Sequence, residues 1–246
     1  MTKVMAEKGD AKAKGNKRAN AAAWRISTVK LLIALILLFA VTPFVENLPN
    51  GDFVESGLVT VVMIASLIAV GRDRRVLISA GVLFVPAIAG KWLHHFFPNH
   101  VSALYFPVFG IAFFAFTIYR ILRFILQTSH VDTEVLSAGI VVYLMLGLLW
   151  AQAYILTAQI TPDTFHFPLA ERSAGRMGGF NAFYFSFSTL TTVGIGDITP
   201  LSKVARTLAV MEAVTGTLYL AILISRLVGM YSPATRTDLP ENSDKP

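Results

Sequence analysis

The sequence predicts an all-α integral membrane protein: six transmembrane helices, one re-entrant helix, and a glycine-bearing loop following that helix. Three observations carry this. The 246 residues are 54% hydrophobic and only 15% charged, with mean hydropathy +0.61, outside the usual range of soluble domains. Six long apolar runs recur along the chain. A seventh run, 180–191, is apolar and aromatic but too short to cross a bilayer.

The elements follow in order. Residues 1–25 carry seven basic and two acidic groups among Ala, Gly and Asn, which makes 1–27 an expected disordered cytosolic tail. Its long charged head is unlike a secretory signal. Spans are expected at 28–45, 56–71, 76–90, 103–126, 135–156 and 204–230. The second and third fall short of the ~20 residues a crossing helix needs. Joined only by Arg72-Asp73-Arg74-Arg75, they are either crossings or a hairpin packed within the protein. Charge favours crossings: with the N-terminus inside, 16 of the 21 lysines and arginines fall on the inner side and 5 on the outer. The expected units are the tail 1–27, a four-helix membrane domain 28–130, a second module 131–231 and a short polar tail 232–246.

Composition also excludes. Cysteine is absent, so disulfide and thiolate chemistry are impossible. A net charge of +6 and a pI near 9.7 could indicate nucleic acid in a soluble protein. Here the bases flank apolar runs, so anionic lipid is the expected partner of the basic N-terminal tail, and no nucleic acid is expected. His94, His95 and His100 lie close together in 91–101, an expected outer loop, and could bind zinc or copper or sense pH. Adjacent histidines share no helical face, so solvated interface residues are the favoured reading. No enzyme activity and no cofactor are expected.

The chemistry concentrates in Thr191-Thr192-Val193-Gly194-Ile195-Gly196-Asp197. Glycines at 194 and 196 can adopt left-handed dihedrals that other residues resist. Alternating them with Val193 and Ile195 can turn successive carbonyls to one side. Thr192 adds a hydroxyl oxygen. Four such strands around an axis would form stacked oxygen cages in place of an ion's water shell. The chain has one such strand, so a complete cage needs four chains. The helix before it, buried in protein, would point its negative dipole end at the membrane centre. Asp197 would hold negative charge at the outer mouth. A phosphate loop would need a soluble strand–turn–helix setting and usually a lysine, both missing here.

The string from Phe183 through Tyr184, Phe185, Ser188 and Thr189 to Asp197 and Pro200 resembles the pore of potassium channels, especially the bacterial two-helix module. The likeness covers about 135–231. It implies a homotetramer and passive potassium permeation. Backbone coordination of potassium falls to Thr192, Val193, Gly194 and Ile195, with Gly196 completing the selectivity filter. Two departures stand out. Ile195 replaces the commonest family tyrosine, so bracing must come from packing, with Phe185 or Tyr184 as candidates. Ser188 stands where some members have an acid, so Ser188 and Thr189 hydroxyls are expected to support the filter.

Gly216 aligns with the family's inner-helix hinge; close helix packing is the equally weighted reading. Thr217, Leu220 and Ile224 share one helical face and, by the same alignment, would line the cavity. Glu212 is an acid within an apolar helix, and is expected either to face the cavity or to bond Ser188 or Thr189 behind the pore helix, the second being favoured. Lys203 and Arg206 read as interfacial anchors, and Arg226 as a snorkelling residue. The fourth span carries only Arg120 and Arg123, at its inner end, so steep voltage sensing is not expected. The expected protein is a multi-pass cell-membrane potassium channel with both termini cytosolic. A weakly selective cation channel, suggested by Ile195, and a non-conducting membrane subunit are the rivals.

Overall fold

The computed structural model describes residues 28–45, 51–70, 74–97, 99–100, 102–128, 133–161, 163–167 and 177–231. The tails 1–27 and 232–246, with Arg172 and Arg176, lie outside the described residues. Among the described residues seven helices follow in order: α1 (Thr28–Val45), α2 (Gly51–Ala69), α3 (Arg74–Phe96), α4 (Tyr105–Gln127), α5 (Thr133–Ile160), α6 (Gly179–Leu190) and α7 (Lys203–Tyr231). All but α6 are long and apolar enough to cross a membrane. The protein is therefore a multi-pass, all-α membrane protein.

The second and third spans are longer than their apolar runs. α2 has 19 residues and α3 has 23, against the shorter segments 56–71 and 76–90. At 1.5 Å per residue α2 alone reaches about 28 Å, close to a hydrocarbon core of ~30 Å. Polar residues extend both helices because they find partners across the pair. Lys91 Nζ lies 3.4 Å from Glu55 Oε1. Trp92 Nε1 donates to Thr60 Oγ1 at 3.1 Å. His94 and His95 accordingly sit in the last turn of α3 rather than in a loop, and only His100 lies beyond it. His95 packs edge-on to Phe96, with ring centroids 5.4 Å apart. No group of three metal-ligating side chains occurs among the described residues.

A large apolar core joins α1 to α5, centred on Leu35, Met63, Phe113, Phe114, Ile121 and Met145. A smaller core gathers Tyr154, Phe165, Phe185 and Ile198. α1 also touches α6: the Phe39 ring lies 4.4 Å from Phe183 and 4.7 Å from Phe187. The segment after α5 folds back as β1 (Phe165–His166), which pairs antiparallel with β2 (Thr199–Pro200), Phe165 opposite Pro200. That pairing brackets the loop between α6 and α7. At the other end of α7, Arg226 Nη2 donates to the carbonyls of Leu126 and Thr128, each at 2.9 Å. Arg226 is therefore engaged by α4 rather than only reaching toward water.

Candidate functional site

α6 is a helix of 12 residues, apolar on the side that meets α5. Ala182, Phe185, Ser186 and Leu190 are its buried residues. It stops where Thr191 turns its hydroxyl back onto the Phe187 carbonyl at 2.6 Å, a local bond that competes with helix continuation. The chain then reverses. Thr192 N–H donates to Thr189 O at 2.9 Å, and Gly194 N–H to Ser188 O at 3.0 Å. These bonds tie the loop's back to the helix it leaves.

The loop has an alternating backbone. φ is +58° at Thr192, +56° at Gly194 and +85° at Gly196, while Val193 and Ile195 between them keep negative φ. The two glycines take left-handed dihedrals at little steric cost. Thr192 does so against the preference of a β-branched residue, and no residue-type signal announces it. All seven residues 191–197 are exposed in the protomer. Val193 is 65% and Ile195 60% exposed, so neither packs on Phe185 or Tyr184 within the chain. A side chain at Gly194 would meet open space, so its constraint is the dihedral alone.

Asp197 closes the loop with both oxygens engaged. Tyr184 OH donates to Oδ2 at 2.8 Å, and the Ile198 N–H donates to Oδ1 at 2.8 Å. Tyr184 thus braces the outer end of the loop rather than Ile195. Phe185 faces the other way, 4.8 Å from the Tyr154 ring and 5.4 Å from Phe165. Ser188 spends its hydroxyl on the Phe185 carbonyl at 3.1 Å. It meets the loop through its carbonyl, as does Thr189.

Behind α6 lies a polar node that the spacing of residues did not identify. Glu212 of α7 is fully buried. Its Oε1 lies 2.5 Å from Ser186 Oγ of α6, and its Oε2 accepts from Tyr154 OH of α5. Ser186 Oγ is also 2.7 Å from the Gly147 carbonyl of α5. Glu212 therefore sits behind α6, but its partners are Ser186 and Tyr154, not Ser188 or Thr189. The cue available was helix phase: Ser186 and Ala182 share the buried face of α6, whereas Ser188 is turned about 200° from Ser186. One carboxyl joins three helices.

Gly216 lies one turn beyond Glu212, and α7 runs unbroken through it. A β-carbon there would run into the Leu190 carbonyl and stand 2.9 Å from Leu190 Cδ1. The glycine admits the C-terminal end of α6 against α7. Tyr143 OH of α5 approaches the same carbonyl at 3.4 Å. Gly147 plays the matching part on α5, where a β-carbon would enter the Phe187 ring. Thr217, Leu220 and Ile224 are all exposed in the protomer, along one stripe of α7. Arg120 and Arg123 lie in the last two turns of α4, and no other basic residue occurs in that helix.

A short helix thus lies between two helices long and apolar enough to cross a membrane, and an exposed loop of alternating dihedrals follows it. Residues 134–232 match the family model described as an ion channel. The inward rectifier potassium channel Kirbac3.1 of Paramagnetospirillum magnetotacticum is 31% identical over 94 residues, which are 38% of this chain. Those residues span 28% of that protein's length. No solved structure matches the chain. The two likenesses support a potassium channel family assignment, and they bear on the module from α5 to α7.

Proposed function

We propose that four copies of this chain form a potassium-selective pore, with the filter built from Thr192, Val193, Gly194, Ile195 and Gly196. The observation that carries the reading is the alternation of left-handed φ at Thr192, Gly194 and Gly196 in a loop whose Thr192 and Gly194 N–H groups bond backward to α6. Amides held on one side favour carbonyls on the other, where a shared axis would let them replace an ion's water. The exposure of residues 191–197, and of Thr217, Leu220 and Ile224, supports surfaces that face an axis between copies. Asp197 supplies charge at the outer mouth. Both termini are cytosolic, following the excess of lysine and arginine on that side. Passive permeation needs no cofactor beyond the permeant ion. The four-helix unit 28–130 carries no ladder of cations, so opening is not steeply voltage-dependent.

The test is potassium-driven flux into liposomes holding only the purified chain, with the reversal potential read in asymmetric potassium and sodium. A reversal near the potassium equilibrium value is expected. Gly194→Ala should abolish flux while leaving assembly intact, because alanine disfavours the dihedral by about 1–2 kcal/mol per copy. Equal permeability to the two ions would favour the weakly selective reading, for which the unpacked Ile195 side chain is the specific support. Unchanged flux in Gly194→Ala would reject the carbonyl filter.

A further inference from the structure

Lys30 lies in the first turn of α1 and is exposed. It lines a groove of about 250 Å³ whose other walls are Ala34, Val61, Ile64, Ala65 and Ile68. Two alanines make the depression. Ala34 follows Lys30 by one turn of α1, and Ala65 lies opposite on α2. The rims are larger residues, with Val61 53%, Ile64 43% and Ile68 61% exposed. Five walls are apolar and open to the hydrocarbon.

The groove has a charged end. Lys30 is two residues from the start of α1, and Ile68 is one residue from the end of α2. That end therefore lies at the membrane boundary. Arg74, the first residue of α3 and exposed, adds a second cation near the same boundary. Apolar walls alone would accept any acyl chain. A cation at the boundary end discriminates between head groups, because a lysine near the surface attracts anionic lipid by about 1 kcal/mol.

We propose that the groove between α1 and α2 holds one acyl chain of an anionic phospholipid, with its phosphate against Lys30. This places a lipid on the four-helix unit, away from the ion path and separate from any contact made by the basic tail 1–27. It rests on the cytosolic placement of this end, where anionic lipids concentrate. The test does not share that dependence, since it reads binding rather than transport.

The full chain in detergent is mixed with equal amounts of phosphatidylglycerol and phosphatidylcholine of identical acyl chains, and retained lipid is counted by native mass spectrometry. Retention of phosphatidylglycerol over phosphatidylcholine by about fivefold is expected, the equivalent of about 1 kcal/mol. Lys30→Glu should reduce the preference to that of the basic tail alone, and Lys30→Ala repeats the measurement if the glutamate variant assembles poorly. Ala34→Trp with Ala65→Trp, which fills the groove, should lower retention of both lipids. Equal retention by the unaltered protein would overturn the proposal. So would a preference that neither Lys30 substitution reduces, because the groove phosphate would then lie elsewhere.

Discussion

Replacing Glu212 with leucine removes a carboxyl that bonds from α7 to both α5 and α6. The change leaves Ser186 and Tyr154 with buried hydroxyls and no carboxyl between them. Tyr154 loses its partner while Ser186 keeps the Gly147 carbonyl, so the change costs about 1–3 kcal/mol per copy, the cost of one buried polar group stripped of its partner. The loss falls on α6, whose last residues hold the loop through the Ser188 and Thr189 carbonyls. A looser α6 should widen the filter before it unfolds the chain. Two measurements follow: survival of the assembled protein on heating in detergent, and the potassium-to-sodium reversal potential in liposomes. Both should fall in Glu212→Leu. Glu212→Gln is the discriminating companion. Ser186 has one hydroxyl proton and two acceptors within reach, the Gly147 carbonyl and Glu212 Oε1. A glutamine amide accepts from Tyr154 and donates to Ser186, freeing the serine proton for Gly147. It should therefore stay within about 1 kcal/mol of the parent and keep selectivity, one hydrogen bond being worth about that much. A leucine variant that is as stable and as selective as the parent would refute the node as a support for the filter.

Gly216→Ala should reduce assembly and flux together, since the added methyl meets the Leu190 carbonyl and overpacking typically costs about 1–3 kcal/mol; an alanine variant with normal assembly but altered opening would restore the hinge reading. Tyr184→Phe removes the hydroxyl that holds Asp197 Oδ2, and should reduce single-channel stability more than surface expression, by recordings compared with the parent. Asp197→Asn should lower conductance most at low ionic strength, where screening of a local field is weakest. Neutralising Arg120 and Arg123 together as glutamines should leave the conductance–voltage relation unshifted; a large shift would show that the two carry gating charge.

The loop's backbone was legible because its dihedrals are written in residue types. Glycine at 194 and 196 announces left-handed backbone, and the loop has it at both. The same logic failed at Thr192, whose dihedral is imposed by two hydrogen bonds from the loop to α6 rather than by its own preference. Helix lengths were legible only where apolar runs coincide with helices. α2 and α3 outrun theirs because Glu55, Thr60, Lys91 and Trp92 pair across the two helices, a tertiary effect invisible to a hydropathy window. The acid at Glu212 was visible, but its partners were not: choosing Ser186 over Ser188 requires the rotational setting of α6 against α5. The contact of Phe39 with α6 had no local signature, since one phenylalanine in an apolar span looks like any other.

The guanidinium of Arg226 has a mechanical consequence. It clasps the final carbonyls of α4 from the far end of α7, nearly a hundred residues away in the chain. Swinging that end of α7 away would break both bonds, unless the end of α4 travels with it. The end of α4 is thereby latched to the end of α7, so a tilt imposed on either helix is passed to the other.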